Sequence, residues 1–269
     1  MGTQTSIHGR DRLFSNRDLA LAPVHFKGNP GSQRTDLMMN LAIFLLGLTH
    51  ASVNEDLERA ADAAVPQAER MEIFERLVAG ASNNHEDILQ LASNEKISSS
   101  TRWVAVQVLG KSGLSKSVDR LEALVADKDS VIRVAAISAL AEMNSVGSTE
   151  LIANRLTDPA MIVRGAAADA LGSLKDIRSI DDLEKALASQ GNYYRGQSVW
   201  VRVRFALALG KIGNKLGIPA LERGLSDKDP KVVDASLIAL KQIVGYDFSE
   251  GRNRAEHIQA WQRWIPANR

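Results

Sequence analysis

The sequence predicts an all-α fold, an α-solenoid in which helix pairs stack into a superhelix, and three observations carry that prediction. Four times an arginine stands seven residues ahead of a leucine followed by glycine or alanine: Arg102 with Leu109-Gly110, Arg133 with Leu140-Ala141, Arg164 with Leu171-Gly172 and Arg202 with Leu209-Gly210. These arginines are 31, 31 and 38 residues apart, and a fifth copy follows after 31 more, with Val233 in the arginine slot and Leu240-Lys241 at its end. A second set of markers, the apolar pairs Leu121/Val125, Ile152/Leu156, Leu183/Leu187 and Leu221/Leu225, repeats in the same steps. Composition is the third: 45% hydrophobic, 24% charged and 5% aromatic residues suit an alanine- and leucine-rich array whose units bury their apolar faces against one another.

Taken in chain order, residues 1–36 are polar, contain Gly9, Gly28, Pro30 and Gly31, and lack periodicity, which predicts disorder. Residues 37–51 hold the apolar run Leu41 to Leu48 and are too few to span a bilayer as a helix. They fit the apolar core of a signal peptide, with the small residues Thr49 and Ala51 ahead of a cut after Ala51. The expected location is therefore periplasmic or secreted. The alternative is a cytoplasmic protein in which this stretch forms an amphipathic first helix docked on the array. Residues 52–269 form the solenoid, with units near 67–97, 99–128, 130–159, 161–190, 199–228 and 230–265, the last including a C-terminal cap. The first of these is degenerate, as a terminal repeat that must face water is expected to be.

Each unit reads as two helices. In Arg133-Val134-Ala135-Ala136-Ile137-Ser138-Ala139-Leu140 the apolar residues recur at helical spacing, and the alanines are small enough to admit a neighbouring helix closely. Turns rich in glycine, serine and asparagine follow (Lys111-Ser112-Gly113, Asn144 to Gly147, Gly213-Asn214), as helix ends require. The second helix carries the apolar pair. An acidic loop closes the unit, as Asp127-Lys128-Asp129, Asp158-Pro159 or Asp227 to Pro230. Asp127 and Asp158 each stand six residues before the next arginine, so each is expected to cap the next helix and to pair with that guanidinium. Arg102, Arg133, Arg164 and Arg202 with Asp127 and Asp158 would then form a structural ladder between units. The functional alternative is a row of arginines gripping phosphates.

Asp158-Pro159, Val163-Arg164, Ala166-Ala167 and Ala170-Leu171-Gly172, with the like segments 127–141 and 201–213, resemble the HEAT-repeat family, in particular the short bacterial HEAT-like units of phycobilin lyases. The resemblance is strong over 99–244 and looser over 69–96. It implies an armadillo-like helical scaffold and is unspecific for function. The function expected is a non-enzymatic protein-protein interaction scaffold or adaptor. One alternative is a lyase-like enzyme or enzyme accessory of the phycobilin-lyase type, which needs a concave pocket lined with aromatic residues. A second is nucleic-acid binding, which needs a continuous basic stripe.

The formal net charge of +1 offers no basic excess for counterion release from DNA or RNA. Cysteine is absent, which removes thiolate nucleophiles and cysteine metal sites. The histidines (His8, His25, His50, His85, His257) show no helical ligand spacing, and neither a Gly-x-Ser-x-Gly elbow nor a phosphate-binding glycine loop occurs. No catalytic residue, cofactor or metal is expected. His85-Glu86 resembles one of the His-Glu pairs of the deoxyhypusine hydroxylases, a family that needs several, so His85 is expected as an exposed helix-start residue. Trp103 and Trp200 beside Arg102 and Arg202 are the one hint of the alkylpurine DNA glycosylases.

Two stretches fit recognition of a protein or peptide partner. The longer step between the third and fourth units comes from 188–198, where Tyr193, Tyr194 and Arg195, types favoured at binding hot spots, are bracketed by Gly191 and Gly196. The second helices present Glu122, Ala153, Glu184 and Glu222 in one row and Ala123, Asn154, Lys185 and Arg223 in the next, with Arg155 close by. By resemblance this face lines the concave side, and rows of opposite sign suit a peptide groove better than a polyanion. Each stretch could instead be ordinary solvated surface. Ile258, Trp261 and Trp264 fall along one stripe of a last helix and are expected to seal the array.

Overall fold

A computed structural model of the chain describes residues 52–195 and 197–268. The segments expected to be disordered (1–36) and to form a signal peptide (37–51) lie outside the described residues. Among the described residues thirteen α-helices follow one another: α1 (Val53–Ala61), α2 (Gln67–Gly80), α3 (His85–Ser93), α4 (Ser99–Ser112), α5 (Val118–Leu124), α6 (Ser130–Glu142), α7 (Thr149–Ala153), α8 (Met161–Leu174), α9 (Ile180–Ala188), α10 (Val201–Ile212), α11 (Ile218–Gly224), α12 (Pro230–Val244) and α13 (Arg254–Ala267). Between α9 and α10 lies a two-stranded antiparallel hairpin, β1 (Tyr193–Tyr194) and β2 (Gln197–Ser198). Among the described residues no helix is long and apolar enough to cross a membrane.

The longer first helices of the units form one continuous layer, α4 against α6, α6 against α8, α8 against α10 and α10 against α12. The shorter second helices form the other layer, and each packs on the first helix of the following unit: α3 on α4, α5 on α6, α7 on α8, α9 on α10 and α11 on α12. Leu121, Val125, Ile152, Leu156, Leu183, Leu187, Leu221 and Leu225 are all buried between the layers. The glycine after the repeated leucine has a steric reason. A methyl group on Gly110 would stand 2.6 Å from Ala139 Cβ, and one on Gly210 would stand 2.6 Å from Ala239 Cα. A small residue there lets the next helix of the layer approach to backbone contact.

From α4 onward each first helix ends in a left-handed residue: Gly113, Asn144, Lys175, Gly213 and Gly245 all have positive φ. Short 3₁₀ turns at Ser115–Ser117, Val146–Ser148, Ile177–Ser179 and Lys215–Gly217 then lead directly into the second helices. The helix starts correct the capping expectation. Asp129, not Asp127, caps α6 by accepting from Val131 N at 2.8 Å, and Asp229 caps α12 by accepting from Lys231 N at 2.9 Å. Asp127 and Asp158 instead accept from the backbone N–H two residues on, Asp129 N at 2.8 Å and Ala160 N at 2.9 Å. That short turn leaves most of each carboxylate for the guanidinium.

Both ends of the layers are covered. At the start α1 packs on α2, α3 and α4 with Leu57 fully buried, and Arg76 donates to Asp56 at 2.8 Å. At the other end α13 packs on α11. Trp261 is fully buried there, edge-on to Phe248 with ring centroids 4.7 Å apart and to Trp264 at 5.7 Å.

Candidate functional site: an arginine ladder with one open rung

Three rungs of the ladder are closed by carboxylates, and the partner lies 25 residues after the arginine, at the end of the same unit. Arg102 donates Nη1 and Nη2 to Asp127 and Nε to Ala92 O at 2.9 Å. Arg133 donates Nε and Nη2 to Asp158 at 2.9 and 2.7 Å, and Nη1 to Asp127 O at 2.8 Å. Arg202 donates Nη1 to Asp227 at 3.1 Å, Nη2 to the second oxygen, and Nε to Leu187 O at 3.0 Å. The expected pairing with the aspartate six residues ahead is therefore corrected: only the backbone carbonyl of Asp127 meets Arg133. The reason is the hairpin of helices, which brings the end of a unit back beside the start of its own first helix.

Burial pushes the carboxyls of Asp127, Asp158 and Asp227 up. Hydrogen bonds from Arg102, Arg133 and Arg202, the turn N–H groups and the arginine charge outweigh it, so all three sit below the ordinary carboxylate value. Each is held ionised against a buried fork.

Arg164 is the exception. The residue 25 positions on is Ser189, and Arg164 takes part in no ion pair among the described residues. Its Nη1 donates to Gly191 O at 3.1 Å and to Asn192 Oδ1, while Nε is buried without a hydrogen-bond partner. Ser189 keeps the local turn of the missing aspartate, since its Oγ accepts from Gly191 N at 3.2 Å, the same two-residue offset as in the closed rungs. A groove of about 440 Å³ opens at this place, walled by Asp158, Arg164, Asp182, Lys185, Ser189 and Asn192 among others.

The residues singled out in the insertion separate into two roles. Tyr193 lies under the Arg202 guanidinium, 4.5 Å from its ring centroid, and so packs back onto a closed rung. Tyr194 is 65% exposed, and Arg195, held in a left-handed conformation with φ 50°, places its guanidinium 5.3 Å from the Tyr194 ring. Asn192, buried at the hairpin base, donates to Ala186 O at 2.8 Å and accepts from Arg164.

On the second helices the charges pair. Glu184 bridges to Arg223 of the next unit, Lys185 to Asp181 at 2.9 Å, and Glu122 accepts from Ser148 Oγ at 2.6 Å. Arg155 is 3.9 Å from Asp158, with its Nε buried and unbonded, and Glu222 also has a partner. His85 corrects its expectation: it does open α3, but it is buried, with Nε2 2.9 Å from Ser117 Oγ. No cluster of three or more metal-ligating residues occurs among the described residues.

Sequence reading missed one feature of the first-helix layer. Val131, Ile162 and Trp200 are exposed, and each stands two residues ahead of a ladder arginine. Their common register was readable in the sequence, but their exposure was not.

Family models match in three consecutive stretches: "HEAT repeats" over residues 120–200, "PBS lyase HEAT-like repeat" over 201–227 and "HEAT repeat" over 218–246. Residues 120–246 are HEAT repeats. None of the curated proteins compared with it matches. Among solved structures, the HEAT array is similar to a designed armadillo repeat protein in complex with the peptide (KR)4. Identity is 16%, with 72% of this chain and 100% of that one covered and a TM-score of 0.44. It is also similar to the complex of CpcE and CpcF of phycocyanin lyase from Nostoc sp. PCC7120, at 17% identity, 81% and 96% coverage and a TM-score of 0.34. Human deoxyhypusine hydroxylase matches at 14% identity, 72% and 96% coverage and a TM-score of 0.34.

Proposed function

We propose that the HEAT array is a non-enzymatic scaffold that holds a protein or peptide partner, gripping it with the 188–198 hairpin and the second-helix face. The observation that carries this is the split between the two tyrosines. Tyr193 anchors the hairpin on Arg202, and Tyr194 stands 65% exposed with Arg195 beside it. A rigid base presenting a tyrosine and an arginine loses little conformational entropy on binding. The paired charges of Glu184, Arg223, Lys185 and Asp181 leave a face of mixed sign, which supports register and steering of a peptide over capture of a polyanion. The walls of the grooves at Glu86 to Arg120 and at the open rung contain no aromatic residue, which favours a scaffold over a lyase.

The test is the double variant Tyr194→Ala/Arg195→Ala. It is expected to weaken, by about tenfold or more, the affinity for a partner that the unaltered protein captures, with its melting midpoint unchanged. Full retention of affinity sinks the hairpin reading. Export belongs to the same proposal: a cut after Ala51 would fall immediately before Ser52, which caps α1 in a reciprocal box with Glu55. N-terminal sequencing from the native cell is expected to begin at Ser52. An intact N-terminus in a cytosolic fraction overturns export.

A further inference from the structure

We propose that the open rung at Arg164 is a carboxylate-binding site, in which an acidic side chain of the partner takes the place that Asp127, Asp158 and Asp227 fill in the other rungs. This rests on the partner-binding reading above and adds the chemistry of one contact. The three closed rungs are an internal template: a buried arginine, a carboxylate at the end of the same unit, and a turn whose second N–H caps that carboxylate. At the fourth rung the arginine and the turn persist and the carboxylate alone is missing, because Ser189 stands in the slot.

Two consequences follow from that single replacement. Among the described residues Arg164 has no ion pair, its Nε–H is buried with no acceptor, and Nη2 makes no hydrogen bond. A groove of about 440 Å³ opens here, and Arg164 and Ser189 both line it. Nη2 is thus the donor left for a carboxylate, which it would meet as Arg133 Nη2 meets Asp158. The carboxylates that line the groove are already held, Asp158 by Arg133 and Arg155, and Asp182 by Lys185. Lys185 adds little, since Asp181 and Asp182 already hold it. The seven-residue insertion places the hairpin, with Tyr194 and Arg195 at its tip, directly after this rung, so one partner segment can reach both.

Ser189→Asp would close the rung from within. A fluorescent hexaglutamate peptide is the probe, with hexaglutamine as its uncharged counterpart, both measured on the full chain. Hexaglutamate is expected to bind and hexaglutamine not to. Ser189→Asp and Arg164→Gln are each expected to weaken hexaglutamate binding by about tenfold or more, and Ser189→Asp to raise the melting midpoint. Absence of hexaglutamate binding, equal binding by Ser189→Asp, or a Ser189→Asp midpoint no higher than that of the unaltered protein overturns the proposal. So does displacement of the peptide by inorganic phosphate as readily as by glutarate, which would make the site one for anions at large. The hairpin variants leave Arg164 and Ser189 intact, so the two readings fail separately.

Discussion

At the residue scale the repeat is a set of slots, and a slot filled by the wrong side chain has a stated cost. Lys175 occupies the left-handed position that Gly113 and Gly213 fill in other units, with φ 54° and no side-chain compensation for the crowding of its Cβ. Lys175→Gly is expected to stabilise the protein by about 0.5–1 kcal/mol, read as a higher midpoint in thermal unfolding. The rung residues carry more. Asp158 accepts two hydrogen bonds from Arg133 in a buried setting, and Asp158→Ala leaves that guanidinium buried and unpaired, a loss of about 3–5 kcal/mol. Arginines and aspartates were both legible in the sequence as periodic slots. Their pairing was not, because the nearer aspartate in sequence lies beyond the turn into the next unit, and only the return of the second helix shows which carboxylate arrives.

At the scale of elements, the contact between successive first helices depends on a glycine against an alanine. Gly110→Val places branched carbons where even a methyl would be 2.6 Å from Ala139 Cβ. The expected cost is about 2–3 kcal/mol, measured by denaturant unfolding. The small residue after each leucine announced this packing in the sequence, since small residues at helical spacing mark close approach. The hairpin was legible as an insertion with binding-type residues. The separate roles of Tyr193 and Tyr194 depend on which ring Arg202 covers, a contact between segments with no local signal. His85 was misread for a similar reason: its polarity suggests solvent, and its burial depends on Ser117, thirty-two residues away.

At the scale of the whole array, the depressed carboxyls of Asp127, Asp158 and Asp227 predict how stability depends on pH. A carboxyl whose folded-state pKa lies below its unfolded value contributes stability that is complete above the unfolded value and is lost as pH falls through the folded one. The melting midpoint is therefore expected to be nearly flat from pH 7 to about 5 and to fall steeply below about 4, followed by circular dichroism. The ends matter as much as the rungs: Trp261 is fully buried between α13 and the layer below it, and Trp261→Ala is expected to cost about 3–5 kcal/mol. By itself the sequence determined the class of fold, the unit length, the buried pairs of the second helices and the sealing stripe of the last one, because each is a periodicity along the chain, either within one helix or from unit to unit. The tertiary structure alone decided which aspartate meets which arginine and that Arg164 meets none among the described residues, because those facts depend on where a helix pair folds back: the constant spacing of 25 residues stands in the sequence, but nothing local marks it as the one that closes.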